Sequence, residues 1–141
     1  MYPTSTIGRL LATIGVSVAL AACARQEASA ADPSSPQATM TAYYEAGKRK
    51  DAAALKTLVS SSSLKALENP AVPVERVLLG MVEEMPDAMP KVRNERIDGD
   101  RATLEAWNAD TQAWDDVILV REDGAWKIAF DEMDREESAE R

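Results

Sequence analysis

The stretch that decides the fold is AWDDVILVREDGAWKIAF, residues 113–130. At its centre, Asp123-Gly124 separates two runs rich in large apolar side chains. An Asp-Gly pair fits a two-residue type I′ turn, because both central residues of that turn need a positive φ. The sequence therefore predicts an antiparallel hairpin in which Glu122 pairs with Ala125.

This pairing predicts the two faces of the hairpin. Leu119 lies opposite Ile128, and Arg121 lies opposite Trp126. One predicted face is apolar and consists of Val117, Leu119, Trp126, Ile128 and Phe130. The other face is mixed and consists of Trp114, Asp116, Ile118, Val120, Lys127 and Ala129. Because both faces carry apolar surface, we expect helices on one side and partial cover on the other.

The same pattern extends toward the N-terminus. Asp98-Gly99 is a second hairpin signal, and residues 108–112 form a weaker third turn. If that turn centres on residues 110 and 111, Trp107 and Trp114 are cross-strand partners. Four strands are predicted in the second half of the chain, at residues 91–97, 101–109, 113–122 and 125–133. They form an antiparallel meander.

The preceding residues have helical spacing instead. Ser35 and Pro36 predict the start of a first helix, since serine caps helices and proline fits the first turn. Asp51 caps a second, short helix, and Pro73 opens a third that stops before Pro86. The sequence thus predicts an α+β domain over residues 36–133, with two to three N-terminal helices packed on a four-stranded antiparallel sheet.

The first 22 residues indicate export. Arg9 is the one charge before the apolar run LLATIGVSVALAA at residues 10–22. That run is shorter than the roughly 20 apolar residues that span a bilayer. A charged start, a short apolar centre and small residues at the end are typical of a secretory signal peptide.

Leu20-Ala21-Ala22-Cys23 resembles the lipobox of bacterial lipoproteins. The resemblance implies cleavage before Cys23, a diacylglycerol on its thiol and acylation of the new amino terminus. Several acyl chains hold a protein on a membrane stably. Because Ala24 follows where an aspartate would resemble an inner-membrane retention signal, the implied location is the outer membrane facing the periplasm, if the source has two membranes.

Three polar segments surround or interrupt the predicted domain. Residues 23–35 carry the lipidated cysteine and a small, polar stretch without periodicity, which predicts a flexible tether. Residues 134–141, DREESAER, predict a charged, disordered tail. The four serines at residues 60–63 predict a polar connector between helices.

Composition excludes several chemistries. The chain has 141 residues, a formal net charge of −8, no histidine and one cysteine. The negative charge argues against nucleic acid as a partner. Without histidine there is no imidazole base and no serine-histidine triad. Met81, Met85 and Met89 recur at a spacing that suits soft metal ions, but methionine on a helical stripe is usually core. We therefore expect no metal site and no cofactor.

The order of elements resembles a known superfamily. Three features carry the resemblance: Tyr43-Tyr44 in the opening helix, the passage from Gly47 to Asp51, and the hairpin at residues 119–128. They are similar to the nuclear-transport-factor-two-like superfamily, and especially to its small bacterial lipoproteins carrying a domain of unknown function. The resemblance implies a curved sheet that wraps the helices into a cone. The superfamily includes isomerases, dehydratases and many non-enzymatic modules, so the fold alone does not give the function.

Two classes of function remain open. An enzyme of isomerase or hydrolase type needs a carboxylate in an apolar pocket and a nearby hydroxyl donor. The candidate carboxylates are Asp115, Asp116 and Asp131, and the candidate donors are Tyr43 and Tyr44. The simpler interpretation is that the aspartates are solvated and the tyrosines pack helix against sheet.

We therefore expect a lipid-anchored, non-catalytic module of the cell envelope. Its partners are the membrane, through the lipid on Cys23, and either a small apolar ligand in the cone or another envelope protein. The candidate pocket or interface residues are Tyr43, Tyr44, Trp107, Trp114, Asp116 and Ile118. A further alternative is a homodimer built sheet to sheet, with Trp107, Trp114 and Ile118 buried between the copies.

Overall fold

The computed structural model describes residues 35–139, so the predicted leader, the lipobox and all but the last residue of the tether lie outside the described residues. Five helices and one four-stranded antiparallel sheet make up this part, which confirms the α+β class. In chain order the elements are α1 (Pro36–Lys48), α2 (Ala52–Leu58), α3 (Ser61–Ala66), α4 (Val74–Met81), β1 (Val92–Asp98), β2 (Arg101–Asn108), β3 (Ala113–Glu122), β4 (Ala125–Ile128) and α5 (Phe130–Ala139).

The sheet is the predicted meander, with the strands in the order β1-β2-β3-β4. Glu122 pairs with Ala125 and Leu119 pairs with Ile128, which confirms the predicted register. Asp123 has a φ of 52° and Gly124 a φ of 80°, as a type I′ turn requires. The Asp-Gly pair therefore fixes which side chains of this hairpin share a face.

The predicted caps of the first two helices are also confirmed. The Ser35 side chain accepts a hydrogen bond from the Ala38 N–H at 3.1 Å. The Asp51 carboxylate accepts one from the Ala54 N–H at 3.0 Å. Each cap satisfies an N–H that has no partner within its helix. Pro73 is the residue before α4, as predicted.

The serine run is not a connector. Four helices precede the sheet rather than two or three, because the serines at residues 60–63 begin a helix of their own, α3. Ser60 is its N-cap and accepts a hydrogen bond from the Ser63 N–H. Both side chains are fully buried. Their hydroxyls bond each other at 2.8 Å, so burial leaves neither without a partner.

The prediction for the C-terminal end is also wrong. The last strand ends at Ile128 rather than at residue 133, and Phe130–Ala139 form α5, which includes most of the predicted disordered tail. The Ala129 N–H still donates to the Ile118 carbonyl at 2.9 Å, and the chain then turns into the helix. Acidic side chains in the first turn suit the positive end of the helix dipole, a signal that the strand pattern concealed.

The core lies between the sheet and the N-terminal helices. Helices α1 and α2 contact β4 from this side, which we call the inner face of the sheet. Fully or nearly fully buried side chains of the sheet form the floor of this core: Ala102, Leu104, Leu119, Trp126 and Ile128. The predicted apolar face is confirmed, since Val117 and Phe130 pack against the same cluster.

Helix α5 lies over the other, outer face. Arg101, which shares this face with Ile118, forms ion pairs with Glu132 and Glu136 of α5. Helix α5 also contacts β3, and Ile118 is fully buried. The outer face therefore has the partial cover that its mixed side chains predicted.

The two edges of the sheet differ. At the β4 edge, the Thr39 hydroxyl donates to the Trp126 carbonyl at 3.2 Å, and the Ser60 N–H donates to the Ile128 carbonyl at 2.9 Å. At the β1 edge, the pairing with β2 shifts by one residue between Arg93 and Arg96. This bulge includes a residue of positive φ, 54°. One edge is thus covered by the helices, and the other is interrupted.

The Thr39 hydrogen bond gives a test of the covered edge. We expect Thr39→Val to lower the free energy of unfolding by about 1–2 kcal/mol, because it leaves a buried carbonyl without its donor while keeping the side-chain shape. Thr41→Val is the matched control, since the Thr41 hydroxyl bonds only to the Gln37 carbonyl of its own helix in an exposed position. Urea denaturation of both variants measures the difference. Equal stability of the two variants would contradict this role for Thr39.

Candidate functional site

An open cavity of about 400 Å³ lies at the end of the sheet where β2 turns into β3. We call it the hairpin groove. One wall comes from the end of α4 and the segment that follows it, and the other comes from β2, β3 and their connecting turn. Its apolar lining consists of Met81, Met85, Pro86, Pro90, Trp107 and Val117, together with the small residues Ala106 and Ala109.

The wall formed by residues 82–90 is fixed by one contact near its middle and another just after its last residue. The Tyr44 hydroxyl donates a hydrogen bond of 2.7 Å to the Pro86 carbonyl. The Trp107 N–H donates to the Lys91 carbonyl at 2.8 Å. Pro86 and Pro90 restrict the backbone of the segment. The segment has no helix or strand, yet both contacts attach it to the rest of the domain.

Gly47 allows Met85 to pack against α1, where Met85 lines the groove. A Cβ at Gly47 would lie 2.5 Å from the Met85 sulfur, so only glycine allows Met85 to pack this closely on α1. Met81, in contrast, is 42% exposed. The methionines therefore serve as packing and as groove lining. Within residues 35–139, no group of three or more histidine, cysteine, aspartate or glutamate residues is arranged to hold a metal ion.

The rim of the groove is acidic. Glu84, Asp110 and Asp115 line it, and all three residues are exposed. Asn108 donates a hydrogen bond of 2.8 Å to the Asp115 carboxylate. No lysine or arginine belongs to the lining. Glu84 and Asp110 were not predicted as site residues, because they come from segments more than twenty positions apart, which a face pattern in the sequence does not connect.

The two predicted tyrosines do different things. Tyr43 is a core residue that packs edge-on against Phe130, with ring centroids 5.9 Å apart. Burial raises its pKa to about 12. Tyr44 holds the groove wall through Pro86. Within the described part of the chain, no hydrogen bond joins either hydroxyl to a carboxylate, so the structure does not assemble the pair that an enzyme of this kind needs.

The two predicted tryptophan partners do meet. Trp107 pairs with Trp114 across β2 and β3, with ring centroids 5.3 Å apart in an edge-to-face arrangement. The Arg93 guanidinium lies 3.8 Å from the centre of the Trp114 ring and forms an ion pair with Glu105. Arginine thus already covers one tryptophan.

The predicted sheet-to-sheet surface is not continuous. Ile118 is fully buried, and α5 covers it, so Ile118 has no surface to bury in a homodimer. Asp116 is exposed on the same outer face, beside a second groove that Trp114 and Met133 also line. Of the six predicted pocket or interface residues, Trp107 is the one that lines the hairpin groove.

Comparisons with known proteins give no relative. Neither a family model, nor a curated protein, nor a solved structure matches the chain. In residues 35–139, no helix has the length and apolar content to cross a membrane.

A partly buried polar cluster joins α3 to α5. The Ser63 hydroxyl donates to the Asp131 carboxylate at 2.6 Å, and the Ser62 hydroxyl does so at 3.1 Å. Arg135 pairs with the other carboxylate oxygen at 2.7 Å. Partial burial acts to raise the pKa of Asp131, but the two serine hydroxyls and the Arg135 charge outweigh it, so that pKa is lower than usual. The sequence singled out Asp131 as a catalytic candidate, and the structure gives it a role in docking α5.

The cluster makes stability depend on pH. The folded-state pKa of Asp131 lies below its ordinary value of 3.8. The stability that the Asp131 carboxylate contributes is therefore complete above pH 3.8, and it is lost as the pH falls through the folded-state pKa. We expect Asp131→Asn to lower the free energy of unfolding by about 1 kcal/mol at neutral pH, and the difference from the unsubstituted protein to shrink in acid. Denaturation across pH 2–7 (roughly the range in which carboxylates titrate) measures this. Asp134→Asn, on the exposed side of α5, should show no such trend; a parallel loss in both variants would contradict it.

Proposed function

We propose that this chain is a lipid-anchored lipoprotein of the cell envelope whose body binds a small apolar ligand in the hairpin groove, without catalysing a reaction. The observation that carries the binding function is the groove itself. It combines an apolar lining with a few polar side chains at the rim, which is the usual composition of small-molecule sites. Its volume of about 400 Å³ falls within the range of such sites.

The anchor rests on the sequence. Leu20-Ala21-Ala22-Cys23 has the residue types of a lipobox, and it follows an apolar run that suits a signal peptide. Diacylglycerol on Cys23 would place the body beside a membrane, at the end of the tether that begins there. In a source with two membranes, the proposed location is the outer membrane, facing the periplasm.

The cone of the nuclear-transport-factor-two-like superfamily stays part of this proposal. Four helices before an antiparallel meander agree with it in order, and the hairpin groove lies between helix and sheet, where such a cone would open. Small lipoproteins with this domain include many without a known activity, so the resemblance itself does not name the ligand.

Two alternatives have less support. An isomerase or hydrolase would use a carboxylate and a tyrosine together, but Tyr43 is packed in the core and Tyr44 is bonded to the groove wall. A sheet-to-sheet homodimer would bury apolar outer-face residues, but Ile118 is already covered. Binding in the groove requires neither arrangement.

The anchor predicts the fate of a cysteine variant. We expect Cys23→Ser to abolish incorporation of labelled palmitate and to leave the leader uncleaved, because both steps require the thiol in the lipoprotein pathway that the motif implies. The control adds Ser17→Cys to this variant. The double variant then has a thiol in the leader that the lipobox residues do not precede. Labelling by the Ser17→Cys/Cys23→Ser double variant, or palmitate-free unsubstituted protein, would contradict the proposal.

The groove predicts a binding phenotype. We expect benzyl alcohol, a neutral aromatic probe, to shift the Met85 methyl signal in nuclear magnetic resonance spectra of the lipidated protein in phosphatidylcholine nanodiscs. Ala106→Phe should abolish the shift, because Ala106 lines the groove and a larger side chain would fill it. Ala113→Phe, on an exposed residue outside the groove, is the control. Equal binding by both variants would place the probe elsewhere and contradict the proposed site.

A further inference from the structure

We infer that the ligand of the hairpin groove is an apolar molecule with a positively charged head, such as an aromatic or aliphatic amine. This inference rests on the proposed function and adds the chemical class of the ligand. It comes from the distribution of charge around the groove, which the apolar lining by itself does not determine.

All the charged side chains that line the groove are acidic. Glu84 stands on the wall after α4, Asp110 lies in the β2–β3 turn, and Asp115 lies on β3. The three carboxylates therefore approach the opening from two different walls. An apolar body in the groove would hold its head among them, where a positive charge is attracted and a negative charge is repelled.

Two lysines lie near the groove but outside its lining. Lys48 of α1 pairs with Asp87 at 3.3 Å, so its charge is matched by a carboxylate outside the groove lining. Lys91 follows the groove residue Pro90 but does not line the cavity. The whole chain carries a formal net charge of −8, so its overall field has the same sign as the local one.

A hydrogen-bond acceptor of the lining acts in the same direction. The Asp115 carboxylate accepts a single hydrogen bond of 2.8 Å, from Asn108, and it can accept more from an ammonium group. A phosphate or carboxylate head would find neither a lysine nor an arginine in the lining.

The test uses three probes with one ring and three different heads: benzylammonium, benzyl alcohol and benzoate. Each is titrated into the full lipidated protein in phosphatidylcholine nanodiscs, and binding is followed at the methyl signals of Met81 and Met85, which both line the groove. Empty nanodiscs correct for probe that enters the lipid. We expect benzylammonium to bind about fivefold more tightly than benzyl alcohol, and benzoate to bind most weakly, as screened attraction to a few exposed carboxylates allows. Raising the salt should reduce the preference.

Charge variants locate the source of the preference. We expect the triple variant Glu84→Gln, Asp110→Asn and Asp115→Asn to bind benzylammonium and benzyl alcohol equally. A matched triple variant, with Asp98→Asn, Asp100→Asn and Asp123→Asn, removes the same net charge from the two turns at the opposite end of the sheet. Those turns are about 25 Å away, given the length of β2 and a rise of 3.3 Å per residue. We expect this control variant to bind benzylammonium more tightly than benzyl alcohol, as the unsubstituted protein does.

The outcomes separate the inference from the proposed function. If benzyl alcohol binds in the groove and benzylammonium binds no more tightly, the inference is wrong and the groove remains a ligand site. If no probe shifts either signal, the proposed function fails as well. Loss of the preference in both triple variants would assign it to overall charge and overturn the role of the groove carboxylates. If the groove variant fails to fold, the salt dependence of the unsubstituted protein remains as a test. A preference for benzylammonium that added salt does not reduce would overturn the inference.

Discussion

The fold depends on the hydrogen bonds that helices make to the short strand β4, at the edge of β4 that does not pair with β3. A strand at the side of a sheet presents a row of backbone groups without partners, and β4 is also largely buried, so water does not satisfy them. Thr39 of α1 and the Ser60 N–H before α3 supply the donors for two of its carbonyls. These two hydrogen bonds attach α1 and the start of α3 to the same edge of the sheet. The position of the helical layer, the burial of the serine run and the direction in which the chain leaves β4 all follow from this edge.

Much of the fold was predictable because it is set by residues close in sequence. The Asp123-Gly124 pair determines a turn, the turn determines the register, and the register determines which side chains face the core. Ser35 and Asp51 determine helix starts in the same local way. The errors arose where distant contacts decide the outcome. Ser63 appears polar and exposed in the sequence, but it is buried because Asp131 lies within hydrogen-bond distance, almost seventy positions along the chain.

The candidate site was less predictable than the fold for a related reason. Strand periodicity assigns residues to faces, and it correctly paired Trp107 with Trp114. It does not tell which end of a sheet stays open or which loop stands beside it. One wall of the hairpin groove is the segment 82–90, which Tyr44 bonds at Pro86 and which β2 bonds just after its end, through the Trp107 N–H and the Lys91 carbonyl. Gly47 lies inside α1, and the absence of a side chain there admits Met85 beside the helix, a contact that no local pattern predicts.

The bulge in β1 has a consequence for copies of the chain that are held close together. A straight, apolar edge strand would offer a template on which a second molecule could extend the sheet, and local crowding makes such growth more frequent. Between Arg93 and Arg96 the backbone leaves the regular ladder, and both flanking side chains are charged. The β1 edge of the sheet is therefore a poor seed for fibril growth. The backbone irregularity and the two arginine charges thus both oppose edge-to-edge pairing at β1.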